Sequence, residues 1–103
     1  MDAKQLYTER VDSYTSFSSF FRSFQALRAF FEARHDLRPG LRLLDAGCGT
    51  GSAGLALLQA LRRRGFGYQC LHAFDLTPAM LERFRQHANE RRIARVEIRE
   101  ANV

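Results

Sequence analysis

A chain of 103 residues is one domain or part of one. Its 46% apolar content and nine phenylalanines exclude a disordered segment, and no apolar run nears the roughly 20 residues that span a bilayer. The net charge of +5 raises the question of a nucleic-acid partner, but fifteen arginines and one lysine are spread along the chain, so a solvated basic surface is expected instead. The start, "MDAKQLYTER", is polar and lacks the apolar core of a signal peptide, which makes the cytoplasm the default location. Cys48 and Cys70 suggest neither a disulfide framework nor a metal spacing.

In chain order, residues 3–12 are expected to form a short helix with Leu6, Tyr7 and Val11 on its apolar side. Phe17, Phe20, Phe21, Phe24, Leu27 and Phe31 recur at three- and four-residue steps, predicting a helix over 17–34 packed on a sheet, with Ser13 or Ser16 as its cap. Pro39 and Gly40 end that segment. "LRLLDA" (41–46) reads as a buried strand running into a glycine loop, and 52–64 as a helix closed by Gly65. "YQCLHAFD" (68–75) is apolar on both faces, as interior parallel strands are. Thr77 and Pro78 are placed as N-cap and first residue of a helix with Met80, Leu81, Phe84 and Ala88 on its apolar face. "RVEIRE" (95–100) is a short alternating strand. Strands alternating with helices of these lengths imply parallel crossovers, hence one half of an open α/β sheet.

The chemistry concentrates in "LLDAGCGTGSAG" (43–54), which holds four of the seven glycines. Missing side chains let backbone approach a ligand, and the following helix directs N–H groups at it. Ligands in such sheets bind beyond the carboxyl ends of the strands, where an acidic residue ending the second strand accepts ribose hydroxyls. Asp75 stands in that place. Two nucleotide patterns overlap here: Asp-x-Gly-x-Gly-x-Gly from Asp45, and the dinucleotide Gly-x-Gly-x-x-Gly from Gly49. If the loop began at Gly49, Asp45 and Gly47 would lie inside the strand, where a charge is costly and glycine weakens the element. A loop that begins at Asp45 puts the carboxylate at the strand's mouth. No lysine follows the glycines, which excludes the nucleoside-triphosphate loop.

These residues resemble a known family. "LLDAGCGTG" is similar to motif I of class I S-adenosylmethionine-dependent methyltransferases, "FDLTPAMLERFRQHA" to the segment after their second strand, and "VEIREANV" to their third-strand segment. The resemblance runs from about Tyr7 to Val103. It implies a Rossmann-like three-layer α/β sandwich of which only the N-terminal half is present, with parallel strands in the order 3-2-1. Within that single partial domain, 1–38 would be N-terminal helices and 39–103 the cofactor-binding β-α-β-α-β half. The implied cofactor is S-adenosylmethionine. The resemblance implies that Asp45, Ala46, Gly47, Cys48, Gly49 and Gly51 line the cofactor, with Asp45 helping to hold the loop and the cofactor's amino group, directly or through water. It further implies that Asp75 takes both ribose hydroxyls and Leu76 packs on the adenine. Asn102, where the family usually has aspartate, and Val103 would meet the adenine edge. In "YTERVDSY" a tyrosine hydroxyl, Tyr14 foremost, or Arg10 would reach the methionine carboxylate; the alternative is a peripheral helix with amphipathic tyrosines. An aspartate at 75 also argues against a 2′-phosphate, which would meet a like charge.

The bland readings stand beside these. Cys48 has no evident base partner and is expected to be a small loop filler rather than a nucleophile. His35, His72 and His87 show no metal spacing, and His72 is expected to be a hydrogen-bonded core residue. The family's sheet runs 3-2-1-4-5-7-6, so strand one would be an apolar edge here, and a homodimer or swapped assembly is expected to cover it. The expected activity is methyl transfer to a small-molecule acceptor, whose catalytic residues the chain does not reveal. The alternatives are an inactive cofactor-binding module or, behind it, an NAD-binding domain.

Overall fold

The computed structural model describes residues 17–101. The expected helix over 3–12, the caps Ser13 and Ser16, Tyr14, Asn102 and Val103 lie outside the described residues. The elements are α1 (Phe17–Glu32), β1 (Leu41–Ala46), α2 (Ser52–Arg63), β2 (Tyr68–Asp75), α3 (Pro78–Glu90) and β3 (Val96–Glu100). No helix among the described residues is long and apolar enough to cross a membrane.

The three strands form one parallel sheet with β2 in the middle, the expected 3-2-1 order. Alternation divides it into two unlike faces. Leu71 and Ala73 of β2 are buried, and Leu41, Leu43, Val96 and Ile98 pack with them against a core built from Leu55, Leu58 and Leu61 of α2 and Leu81, Phe84 and Ala88 of α3. The opposite face carries Leu44, which is 68% exposed, and the half-buried Cys70, His72 and Phe74. The expectation of a buried first strand is therefore corrected: among the described residues only one side of it is covered.

The phenylalanine stripe also needs correcting. α1 packs on α2 rather than on the sheet. Phe20 and Phe24 are buried there, whereas Phe30 is 57% exposed. The physical reason is that α2 and α3 already occupy the covered sheet face, so α1 finds apolar partners on the helices. Phe20 stacks on His87 of α3 with ring centroids 3.6 Å apart, and the Arg91 guanidinium lies over the Phe20 ring at 4.5 Å.

The arginine run at 62–64 follows the helix-dipole logic. Arg62 donates to the carbonyls of Arg91 and Arg92 past the end of α3, at 3.2 and 2.7 Å. Arg64 donates to the Arg34 carbonyl beyond α1 at 2.5 Å, and Arg63 pairs with Glu32. These cations tie helix ends together. Gly65, at φ 75°, turns the chain out of α2 as expected.

Candidate functional site

The site lies at the carboxyl ends of β1 and β2. After Ala46 the chain bends over the end of β2, where the Gly47 and Cys48 amides both donate to the Phe74 carbonyl at 2.8 Å. Gly51 then opens α2 at φ 91°, and a Cβ there would stand 2.8 Å from the Phe84 ring, so the turn needs glycine twice over. Gly54, one turn into the helix, lets α2 lie against β1: a Cβ would meet the Asp45 carboxylate at 2.8 Å and Leu71 at 3.0 Å. Among the described residues no side chain caps the start of α2.

Asp75 is the hub of the second mouth. Its Oδ2 accepts from the Gly49 amide at 2.8 Å and its Oδ1 from the Thr77 amide at 3.0 Å. One carboxylate thus binds the glycine loop to the start of α3. Thr77 is the N-cap residue, as expected, but its side chain makes no cap bond, and the Asp75 oxygen satisfies its backbone amide. Leu76 follows and is 53% exposed.

Asp45 contrasts with it. Its Oδ2 is buried and has no hydrogen-bond partner among the described residues. Burial, and after it the negative charge of Asp75, raises the Asp45 pKa above the ordinary carboxylate range. Cys48 is buried, and burial followed by the charges of Asp45 and Asp75 pushes its thiol up to about 12. Burial thus disfavours the thiolate, the form in which a cysteine acts as a nucleophile.

The fold thus brings Asp45, Ala46, Gly47, Cys48, Gly49, Gly51, Asp75 and Leu76 to one edge of the sheet. Two supporting residues escaped the sequence. His87 Nδ1 lies 3.0 Å from the Thr50 carbonyl and holds the loop from α3, and Met80 places its sulfur beside Gly49. Nothing in the periodicity marks a histidine on α3 as a loop partner, because the contact spans 37 positions. His72 is corrected as well: it is a partly exposed residue 3.2 Å from Glu97, on the face that the described residues leave uncovered, and not a core residue.

A strand, a glycine turn, a helix N-terminus and an acidic residue closing the next strand make up a Rossmann-like unit. Residues 37–103 match the family described as "Methyltransferase domain", and the chain belongs to that family. No curated protein matches it. Among solved structures it is similar to magnesium protoporphyrin IX methyltransferase from Synechocystis PCC 6803 with bound SAH: 26% identity over 79% of this chain and 34% of that one, TM-score 0.56. It is also similar to a SAM-dependent methyltransferase from Geobacter sulfurreducens in complex with S-adenosyl-L-homocysteine: 25% identity, 74% of this chain, 28% of that one, TM-score 0.55. A third is the cyclase SpnF: 26% identity, 75% of this chain, 26% of that one, TM-score 0.56. The chain spans between about a fifth and just over a third of the length of these and similar structures.

Proposed function

We propose that the chain is the cofactor-binding part of an S-adenosylmethionine-dependent methyltransferase acting on a small-molecule acceptor. The observation that carries the reading is Asp75: two backbone amides aim its carboxylate at the glycine loop. A second observation supports the fit. Asp45 and Asp75 put a carboxylate at each of two neighbouring strand ends, and one Asp45 oxygen is buried without a partner among the described residues. That arrangement suits a cofactor bearing an ammonium and a sulfonium better than a pyrophosphate, which two carboxylates repel.

When bound, S-adenosylmethionine supplies a methyl group on a positively charged sulfur. The protein's own contribution is placement. In this reading Asp75 accepts the ribose hydroxyls and Leu76 offers an apolar surface to the adenine. Gly47, Gly49 and Gly51, with Ala46 and Cys48, let backbone run alongside the cofactor. Asp45 takes its amino group. Asn102 and Val103 bind the adenine edge, and Tyr14 the methionine carboxylate. In this reading residues 1–38 and the Rossmann-like layer over 39–103 belong to one domain.

Calorimetry with S-adenosylhomocysteine and, separately, NAD tests this. Heat with the former alone is expected; heat with NAD alone sinks the reading. The similarity to a cyclase favours a second reading, in which the site binds cofactor without methyl transfer. Label transfer from S-adenosylmethionine to candidate acceptors separates the two. We also infer that β1, at the edge of the sheet with Leu44 exposed, pairs with a second copy or a swapped strand. Sedimentation is expected to show concentration-dependent association, and a persistent monomer overturns that inference.

A further inference from the structure

Cys70 and His72 stand two residues apart on β2 and so share a face of the sheet. Glu97 is the register partner of His72 on β3. The Cys70 thiol, a His72 ring nitrogen and a Glu97 carboxylate oxygen all lie within 4.8 Å of one another. His72 Nδ1 is 3.2 Å from Glu97 Oε2. The cluster sits on the face that α2 and α3 leave uncovered, apart from the strand mouths described above.

An ordinary surface ion pair accounts for His72 and Glu97 and is worth little. The Cys70 thiol, which donates to the Leu71 carbonyl at 3.6 Å, converges on the same point. Thiolate, imidazole and carboxylate are the three donor types that zinc takes, and donors about 2.0–2.3 Å from the ion lie roughly 3.5 Å apart on a tetrahedron. The backbone is already fixed by the parallel ladder between β2 and β3.

We propose that Cys70, His72 and Glu97 form a binding site for a divalent cation of the zinc class. The three side chains leave a fourth corner open to water or another donor. A thiolate sulfur favours zinc over magnesium or calcium, which take oxygen donors. Binding replaces the thiol proton, which passes to solvent, so affinity rises with pH. The ion would join β2 to β3. Inspection of the sequence misses the site because its third ligand comes from the next strand, not from a short spacing.

Titrating the reduced chain with cobalt(II) tests the site. The expected result is a thiolate-to-cobalt charge-transfer absorption together with tetrahedral visible bands, saturating at one ion per chain and abolished by zinc. Cys70→Ser should remove the charge-transfer absorption, and Cys48→Ser should retain it. His72→Gln and Glu97→Gln, both at partly or fully exposed positions, should each weaken cobalt by more than the roughly 10–100-fold typical of an outer-shell loss. No charge-transfer band, or one that survives Cys70→Ser, overturns the proposal. If Cys70→Ser fails to fold by circular dichroism, the other pair decides: unchanged cobalt affinity in both overturns it.

Discussion

The two strand mouths that make the candidate site hold their carboxylates in opposite ways. At the end of β2, Asp75 receives two backbone amides and stitches the glycine loop to α3. At the end of β1, Asp45 has an oxygen sealed beneath Gly54 with no partner among the described residues, and burial makes its charge costly. One mouth is satisfied by its own backbone. The other leaves a buried carboxylate oxygen without a partner among the described residues.

The comparison can be broken most severely at Gly51. Gly51→Ala adds a Cβ against the buried Phe84 ring in a left-handed backbone, at an expected cost of about 3 kcal/mol or more. Urea unfolding reads it; a loss under about 1 kcal/mol would show that the loop yields without harm. Next comes Asp75→Ala, which removes a charged acceptor. It is expected to weaken S-adenosylhomocysteine about ten- to a hundredfold by calorimetry. Unchanged affinity would remove Asp75 from the proposed site.

Asp45→Asn should act in the opposite direction on the chain without cofactor. A carboxyl whose pKa is raised by folding holds its proton more tightly in the folded state, so its ionisation lowers stability as pH rises above the ordinary 3.8. The variant is therefore expected to unfold at higher urea than the parent near neutral pH, with the advantage vanishing toward about pH 4. A destabilised variant at neutral pH would mean that the carboxylate holds the empty loop.

His87 carries the smallest effect. Burial lowers its pKa from 6.5, against the opposing pull of its Thr50 bond. Its contribution is complete above 6.5 and is lost as pH falls below that value, because the unfolded chain takes up the proton first. The unfolding midpoint of the parent should fall on acidification through that range, and His87→Gln should remove that part of the slope. Parallel slopes would dismiss the coupling between α3 and the loop.

Several elements were legible before any coordinates. The strand 41–46, the loop with its glycines, and the strand 68–75 with Asp75 at its end were readable because each is set by local chemistry: runs of apolar residues, turn-forming glycines, and proline at Pro78. Helix ends were legible to within a residue or two for the same reason. The packing of α1 was not. Its phenylalanines announce an apolar stripe but not the surface that receives it, and α2 and α3 had already taken the sheet.

The amino-acid order by itself determined the succession of strands and helices, the glycine turn, and the acidic residue that answers it across the next strand. These follow from backbone preferences and two- and four-residue periodicities, which act over short distances. Tertiary structure alone decided which carboxylate would be satisfied and which left wanting, that His87 would hold the loop, and that Cys70, His72 and Glu97 would converge. Those outcomes depend on sheet register and on which helix covers which face, and both are settled only when distant segments compete for the same apolar surface.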